Sequence, residues 1–381
     1  MTRPLVVLGA TGSIGAQTLD VADSLGLVVV ALAARNPSAG LAEAGRRHPD
    51  ATVVAAGGSS EERAEFERRL GRAAIFGSEA IIEVAGEPGR TVVNGIVGSA
   101  GLRATLAALQ AGNRVALANK ESLVAGGPVV MAALRAHGGE LIPVDSEHSA
   151  LHQCLAGETA ASVSRLVLTA SGGPFRGRSR ESLAAVTPEE ALRHPTWEMG
   201  RRITVDSATM FNKGLEIVEA HHLFGVAYDQ IEVVVHPQSI LHSAVEFVDG
   251  SWKGHFGFPD MRIPIQYALT APDRGPAPGS RFSLAGLDLS FQAPDRRAFP
   301  AIDIAYEAGR AGGSAPAVMN AADEVAVEAF LQRRLGFLGI ADVVARTIDQ
   351  VDWRVLGTVD EVIEVDAEAR SVAAGLIAGV C

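Results

Sequence analysis

LVVLGATGSIG, residues 5–15, joins a short apolar run to a glycine-rich turn and the start of a helical pattern. Glycines allow a tight turn and the close approach of a diphosphate, while a helix start offers free N–H groups and the positive end of a dipole. The spacing GxxGxxG departs from GxGxxG, and the alternative is a glycine-rich loop without a ligand. Its position between a strand and a helix favours a nucleotide-binding turn.

Apolar runs alternate with helical patterns over about the first 145 residues. The runs are LVVLG, VVVALAA, ATVVAA, TVVNGIVG, RVALAN and ELIPVDS. Such alternation is typical of β-α units around a buried parallel sheet. We therefore predict an α/β fold that starts with a doubly wound, Rossmann-type domain over residues 1–149.

The pattern changes in the second part of the chain, where the strand candidates are RLVLTAS, IEVVVHP, SILHSAVEFV and WKGHFGF. They predict a central α+β domain over 150–275, in which consecutive strands pair antiparallel. A proline-rich stretch, 271–282, predicts an extended connector, and the linker is placed at 276–299. Residues 300–381 have helical patterns, including Thr358 and Glu361 at capping-box spacing, and predict a C-terminal helical domain.

The composition is that of a globular protein, with 48% hydrophobic and 20% charged residues among 381. A net charge of −11 argues against nucleic acid and anionic membrane as partners, but it is compatible with a local basic pocket for a phosphorylated small molecule. The longest apolar run, 25–34, has half the length of a membrane helix. With two cysteines far apart and no signal-peptide pattern, we expect a cytoplasmic protein.

The end of the second strand, in AARNPS, indicates which dinucleotide binds. A domain selective for NAD places Asp or Glu about 20 residues after the glycines, where it binds the ribose 2′-OH. Arg35 occupies that position, and no acid occurs from Val28 to Gly40. A guanidinium suits a 2′-phosphate, so the sequence favours NADP; the alternative is a solvated surface arginine.

VDSEHSALHQ, residues 144–153, places two carboxylates at the end of a predicted strand. If the backbone is extended there, Asp145 and Glu147 point the same way and can hold one hard cation, Mg²⁺ or Mn²⁺. The alternative is that Ser146 and Glu147 cap the next helix. His148 and His152 have the i, i+4 spacing of a zinc pair, but no familiar motif supplies a third ligand.

A third acid, Glu216, lies in VDSATMFNKGLEIVEAHH, residues 205–222. On a helix it shares one face with Asn212 and Lys213. The lysine and the amide could hold a phosphate, which would leave the carboxylate for a metal. The alternative is a solvated helix face with an ordinary ion pair.

Three more segments contain residues suited to a ligand. TASGGPF, 169–175, has small residues and the Ser171 hydroxyl in a turn that could form an anion site. RHPTWEMGRR, 193–202, predicts a loop that closes over a ligand, with a loop anchored by one aromatic as the alternative. LANKESL, 117–123, places a lysine at another strand end of the same sheet edge.

Six segments together resemble one known family, 1-deoxy-D-xylulose 5-phosphate reductoisomerase. They are GATGSIG, LANKESLV, PVDSEHSA, TASGGPFR, RHPTWEMGRRITVDSATMFNKGLE and HPQSILHS, in the family's order and over nearly the whole chain. The resemblance implies NADPH-dependent conversion of 1-deoxy-D-xylulose 5-phosphate to 2-C-methyl-D-erythritol 4-phosphate in the non-mevalonate isoprenoid pathway. It further implies a metal-assisted retro-aldol and aldol rearrangement, then hydride reduction, and a homodimer formed through the central domain.

The resemblance also assigns roles by position. The implied metal ligands are Asp145, Glu147 and Glu216, which form the catalytic set with Lys120. The implied substrate contacts are Lys120, Ser146, Glu147, Ser171, His194, Trp197, Ser207, Asn212, Lys213, Glu216 and His242, with Trp197 and Met199 on a mobile flap. The implied NADPH contacts are Thr11, Gly12, Ser13, Ile14, Arg35, Asn36, Asn119, Glu121 and Gly200. Ala34 and Arg35 depart from the glycine and lysine common in the family.

Two other functions stay open. The first is a simple NADP-dependent dehydrogenase of the homoserine or semialdehyde type, which needs no three-carboxylate metal site. The semialdehyde type needs a nucleophilic cysteine, whereas Cys154 lies in an apolar helical stretch. The second is a non-catalytic NADP sensor, which would bind NADPH without oxidising it.

Overall fold

The computed structural model describes residues 3–197, 199–279 and 283–379. Its strands are β1 (Leu5–Leu8), β2 (Val29–Ala34), β3 (Thr52–Ala55), β4 (Ile75–Phe76), β5 (Thr91–Asn94), β6 (Arg114–Leu117), β7 (Glu140–Pro143), β8 (Val163–Ala170), β9 (Ile231–Val235), β10 (Leu241–Phe247) and β11 (Trp252–Phe256). Its α-helices are α1 (Ser13–Leu25), α2 (Ala39–Arg47), α3 (Ser60–Leu70), α4 (Ser78–Ala85), α5 (Leu102–Gln110), α6 (Glu121–His137), α7 (Ser146–Leu155), α8 (Arg180–Leu183), α9 (Pro188–Ala191), α10 (Arg201–Thr209), α11 (Phe211–Phe224), α12 (Arg262–Thr270), α13 (Ala301–Ala311), α14 (Ala315–Leu331), α15 (Phe337–Gln350) and α16 (Val359–Ala378).

The chain forms two compact units. Unit 1 consists of Met1–Ser122, Val130–Ser149 and Asp260–Arg281. Unit 2 consists of Leu123–Val129, Ala150–Pro259 and Phe282–Cys381. None of the described helices is both long enough and apolar enough to cross a membrane.

Unit 1 contains, within the described residues, a sheet of seven strands in the order β4-β3-β2-β1-β5-β6-β7. Every neighbouring pair is parallel. Strands such as β1 and β5 are buried at each position, because helices cover both faces of a parallel sheet. The predicted Rossmann-type fold is confirmed. The sequence prediction missed β4, whose two residues are too few to carry a pattern.

The glycine-rich turn lies where the strand order reverses, since β1 has β2 on one side and β5 on the other. Open α/β sheets bind their ligands at such a point. A Cβ on Gly9, which has a φ of 80°, would lie 2.5 Å from the Gly95 carbonyl oxygen. A Cβ on Gly15 would lie 2.2 Å from the Gly9 carbonyl oxygen. The two glycines therefore let α1 and the loop after β5 pack directly against the turn.

Unit 1 is completed by α12, which comes from far along the chain and packs against α1. Its residues Ile265, Ala268 and Leu269 are buried in the same hydrophobic cluster as Leu5 and Leu19. No local sequence pattern indicated this return of the chain to the first unit.

The described part of unit 2 contains a sheet of four strands in the order β11-β10-β8-β9. β10 pairs antiparallel with both β8 and β11, as predicted. β8 and β9 are parallel, so the prediction that consecutive strands pair antiparallel is wrong for this pair. The reason is that α8 to α11 lie between them in the chain, and a long crossover brings the second strand back in the same direction.

The C-terminal helical region, α13 to α16, is confirmed. The helix α14 lies between Gly313 and Gly336. At the start of α16 the Glu361 N–H donates to Thr358 Oγ1 (3.3 Å), and the Thr358 N–H donates to Glu361 Oε2 (2.9 Å), which is the predicted capping box. The last three residues of the proline-rich stretch, 280–282, lie outside the described residues.

Candidate active site

Asp145 follows β7 and lies directly before α7, which begins at Ser146. The backbone is therefore not extended through Glu147, and the condition under which Asp145 and Glu147 would point the same way along a strand is not met. Asp145 Oδ1 accepts the Glu147 N–H at 3.3 Å, as a helix-capping carboxylate does, and the Ser146 hydroxyl donates to Glu147 Oε2 at 2.5 Å. The alternative of a helix cap is correct in part, because Asp145 rather than Ser146 accepts the backbone N–H.

The Lys120 ammonium and the His148 ring face the Asp145 carboxylate. Lys120 Nζ lies 2.5 Å from its Oδ2, and His148 Nδ1 lies 3.5 Å from its Oδ1. Burial opposes ionisation of Asp145, but the charge of Lys120 and the hydrogen bond with His148 outweigh burial and hold the pKa of the carboxyl well below its usual range. The group is thus ionised at neutral pH. The sequence analysis considered His148 only as a zinc-like pair with His152, although its i+3 spacing from Asp145 was a signal for this contact.

Asn119 and Glu121, both buried, support the loop after β5. The Asn119 amide donates to the carbonyl oxygens of Ile96 and Gly98, each at 2.8 Å, and to Glu121 Oε2 at 2.9 Å. The Gly98 N–H donates to Glu121 Oε1 at 3.2 Å. These side chains therefore shape the backbone beside the glycine-rich turn.

The turn itself has the properties of a site for a dinucleotide phosphate. Thr11, Gly12 and Ser13 are exposed, and Gly12 caps α1 without a side-chain hydrogen bond. The first N–H groups of a helix have no intrahelical acceptor and attract anions. Arg35 and Asn36 are exposed just after β2, the neighbouring strand. The residues present fit a phosphate-bearing dinucleotide.

In unit 2, Ser171 follows β8 and lies within hydrogen-bond distance of His194, with 3.0 Å between Oγ and Nε2. The N–H groups of Trp197 and Thr196 donate to His194 Nδ1 at 2.8 and 3.2 Å. Burial lowers the pKa of His194, so the ring is neutral at pH 7. Because Nδ1 accepts, Nε2 carries the proton and donates to Ser171.

Ser207 lies on α10, which packs closely against the turn after Ser171. A Cβ on Gly173, with a φ of 64°, would lie 2.8 Å from the Ser207 carbonyl oxygen. The segment 205–222 forms two helices rather than one, because Met210 adopts a left-handed φ of 69° between α10 and α11. The break turns α11 away from the line of α10.

Asn212, Lys213 and Glu216 meet on α11. The Asn212 amide donates to Glu216 Oε1 at 2.6 Å, and the Lys213 ammonium forms an ion pair with Glu216 Oε2. Lys213 and Glu216 are 3% and 0% exposed, so the alternative of a solvated helix face is wrong. Asn212 and Lys213 thus provide a partner for each oxygen of this buried carboxylate, and carboxylate oxygens are the donors that a hard cation prefers.

The remaining predicted residues of unit 2 lie near the same loop. Trp197 is half-buried, and its ring centroid lies 6.4 Å from that of His242, a buried residue of β10. Met199 and Gly200 precede α10 in the segment without regular structure. Sequence reasoning did not find Thr169, whose hydroxyl donates to the His242 carbonyl oxygen at 2.7 Å and fixes that part of β10.

The fold and these side chains define a Rossmann-type, dinucleotide-dependent oxidoreductase with acidic side chains suited to a metal ion. Family models match most of the chain: 1-deoxy-D-xylulose 5-phosphate reductoisomerase at residues 5–127, the C-terminal domain of the same enzyme at 141–224, and DXP reductoisomerase C-terminal domain at 256–372. The chain belongs to the 1-deoxy-D-xylulose 5-phosphate reductoisomerase family.

Individual proteins agree with this membership. A 1-deoxy-D-xylulose 5-phosphate reductoisomerase of Rhodospirillum centenum is 49% identical over 99% of this chain and 94% of its own length. The structure of the Zymomonas mobilis enzyme in complex with NADPH is 43% identical, with a TM-score of 0.92 over 99% of both chains. A DOX-P reductoisomerase structure in complex with NADPH, fosmidomycin and magnesium is 37% identical, with a TM-score of 0.90 over 98% of both chains.

We predict that Lys120→Met destabilises the protein by about 3–5 kcal/mol at pH 7, because it leaves the Asp145 carboxylate buried without its nearest cation. A carboxylate with a lowered native pKa contributes stability above its ordinary pKa and loses it as the pH falls through the native pKa. Without Lys120 that loss begins at a higher pH than in the wild type. Urea denaturation between pH 3 and pH 7 measures both effects.

The control for this prediction is Arg354→Met, which breaks an exposed ion pair with Glu368 and should cost less than about 1 kcal/mol. Equal destabilisation by the two substitutions would contradict the importance of the buried pair.

Proposed function

We propose that this chain converts 1-deoxy-D-xylulose 5-phosphate to 2-C-methyl-D-erythritol 4-phosphate, with NADPH as reductant and Mg²⁺ or Mn²⁺ as metal cofactor. The observation that carries the proposal is similarity over the full length, at 49% identity over 99% of the chain, to an enzyme named for this substrate. A simple dehydrogenase and an NADP sensor are not favoured, and Cys154 is buried in α7, where it is no accessible nucleophile. Two cysteines in 381 residues support a cytoplasmic location.

We assign the metal to Asp145, Glu147 and Glu216. The support is that Asp145 is held ionised, Glu147 follows it within the first turn of α7, and Glu216 is a fully buried carboxylate. When bound, the cation neutralises negative charge on the substrate oxygens and NADPH supplies a hydride. Lys120, with its ammonium beside Asp145, is suited to hold a substrate oxygen and to move a proton at Nζ. We assign Ser146 to substrate contact beside it.

The phosphate of the substrate is assigned to Ser171, His194, Ser207, Asn212 and Lys213. The tautomer of His194 supports this role, because its Nε2–H and the Ser171 hydroxyl are neighbouring donors. Binding the phosphate there uses contacts remote from the reacting carbons to position them. Trp197 and Met199 form the flap that excludes water, and His242 lies behind Trp197.

NADPH is assigned to the N-terminal domain, 1–149, and we keep 150–275 as the catalytic and dimerisation domain. Thr11, Gly12, Ser13 and Ile14 would bind the diphosphate through backbone N–H groups. Arg35 and Asn36 would bind the 2′-phosphate. Further assigned contacts are Asn119, Glu121 and Gly200.

We predict that Asp145→Asn and Glu216→Gln each lower the rate of NADPH oxidation with 1-deoxy-D-xylulose 5-phosphate and Mn²⁺ by about 100-fold or more, because each removes a charged metal ligand. Titration of Mn²⁺ followed by electron paramagnetic resonance should show the matching loss of affinity. Glu364→Gln, an exposed carboxylate of α16, is the control and should change neither quantity. Wild-type turnover in either ligand variant would refute the metal assignment.

We predict that Arg35→Glu raises the dissociation constant of NADPH by about 30-fold or more, because an acid replaces the cation beside the 2′-phosphate. Binding of NADH, which lacks that phosphate, should change little. Fluorescence titration with both nucleotides measures the difference, and Arg135→Glu, an exposed substitution in α6, controls for the change in net charge. Equal weakening of NADPH and NADH binding would contradict the assignment.

We also propose that two copies associate through the edge strand β11. Its residues Trp252 and Phe256 are 50% and 42% exposed, and Phe258, just beyond it, is 40% exposed. An edge strand with exposed aromatic side chains offers free backbone groups and apolar surface to a second copy.

Trp252→Glu combined with Phe256→Glu should convert the dimer to a monomer in sedimentation or light-scattering measurements. Val355→Glu changes an equally apolar, 87% exposed residue elsewhere and should leave the dimer intact. A monomeric wild type, or a dimer that survives the double substitution, would refute this surface.

A further inference from the structure

Arg202, the second residue of α10, extends into a buried cluster of acidic side chains on α14. Its guanidinium donates to Glu324 Oε1 at 2.9 Å, to Asn320 Oδ1 at 3.2 Å and to Asp323 Oδ2 at 3.5 Å. Its Nε lies 3.5 Å from Asp206 Oδ2, one turn along α10. Asp206 and Asp323 are 3% and 0% exposed. One cation therefore joins the start of α10 to the middle of α14.

The charges of this cluster do not balance. Among the described residues, its cations are Arg202 and Arg370, and Arg370 lies 2.6 Å from Glu324 Oε2 and 2.5 Å from Asp366 Oδ2. The carboxylates that they face are Asp206, Asp323, Glu324 and Asp366. A surplus of buried negative charge is unfavourable, so a proton on one of the acids relieves it. Burial, opposed by Arg202 and reinforced by Glu324, raises the pKa of Asp323 to about 6.

The position of α10 determines two parts of the proposed phosphate site. The loop 193–200, which contains Trp197, ends where α10 begins. Ser207 follows Asp206 on the same helix, and its carbonyl oxygen packs against Gly173, so closely that a Cβ there would lie 2.8 Å away. A shift of α10 relative to α14 therefore moves the end of the loop and the turn that contains Ser171.

We propose that Arg202, Asp206 and Asp323 are positioning residues, which hold α10 against α14 and thereby set the loop 193–200 and Ser207 for the phosphorylated substrate. They act through α10 and do not touch the substrate. The kinetic consequence rests on the proposed function, whereas the effect on the loop backbone does not.

The proton on Asp323 sets the strength of this contact. When ionised, Asp323 adds a buried negative charge beside Glu324, and the charge of Arg202 and the hydrogen bonds with Arg202 and Asp206 offset that cost only in part. The charged groups that face Asp323 are Arg202 and Asp206 from α10 and Glu324 from its own helix, with Arg370 of α16 bound to Glu324. Because the pKa is raised, the stabilisation is complete below the ordinary carboxyl pKa near 4 and is lost as the pH rises through about 6.

The test is hydrogen–deuterium exchange of residues 193–206 at pH 5 and pH 7.5, corrected for intrinsic rates. If forming the contact raises the pKa of Asp323 from about 4 to about 6, the contact is about tenfold weaker at pH 7.5 than at pH 5. Protection of the wild type should therefore be up to about tenfold lower at pH 7.5. Asp323→Asn, which resembles the protonated acid at every pH, should abolish the fall. Glu328→Gln, an exposed acid on the same helix, should retain it.

The proposal would be overturned if exchange protection in Asp323→Asn still fell between pH 5 and pH 7.5, or if protection in Glu328→Gln did not fall.

The second readout is kinetic. Arg202→Met should raise KM for 1-deoxy-D-xylulose 5-phosphate more than it changes kcat, and Arg202→Met combined with Asp323→Asn should recover part of that KM, because the uncompensated acid is gone. A double variant no better than Arg202→Met would also overturn it. A wild type that oxidises no NADPH would refute the proposed function and leave the exchange test decisive.

Discussion

Parallel pairing of the strands in unit 1 is the constraint on which its functional surface depends. In a parallel sheet the carboxyl ends of all strands meet at one edge, so the residues that follow them lie along one line. The glycine-rich turn follows β1, Arg35 follows β2, Lys120 follows β6 and Asp145 follows β7. Residues far apart in the chain therefore belong to one edge, and the spacing of strands sets the spacing of their side chains.

The same parallel arrangement makes it costly to place an ionised carboxylate at the sheet edge. A carboxylate at the end of a buried strand loses hydration, and burial alone would keep it protonated. Asp145 stays ionised because Lys120 Nζ, at the end of the neighbouring strand β6, lies 2.5 Å from its Oδ2. In unit 2 the partners of the buried carboxylate come from its own helix: Lys213 forms an ion pair with Glu216, and the Asn212 amide donates a hydrogen bond to it. In both units the cation is supplied by a residue whose distance from the acid is fixed by regular secondary structure.

The elements with strong local patterns were predictable from the sequence. The run that formed β1 is apolar throughout, and the capping box at Thr358 is a local hydrogen-bond pattern. Features that depend on the whole fold were not predictable. The left-handed φ of Met210 was not predictable because no glycine occupies that position. The packing of α12 against α1 depends on contacts between distant segments. The proposed role of His242 came from family resemblance alone, since its local sequence indicates no ligand, whereas the small residues and hydroxyl of the turn at Ser171 had already predicted an anion site.

The hydrogen bonds of His194 connect the loop 193–200 to the proposed phosphate site. Two backbone N–H groups of the loop, from Thr196 and Trp197, occupy Nδ1, and this alone places the proton on Nε2, beside the Ser171 hydroxyl. An anion that accepts from Nε2 makes the ring more polar and strengthens the bonds that Nδ1 accepts from the loop. Conversely, a loop that moves away releases Nδ1, and the ring is then free to present an acceptor to the anion, which is unfavourable. In the proposed site, anion binding and this loop conformation would therefore stabilise each other, and the backbone N–H of Trp197 is held by the same hydrogen bonds.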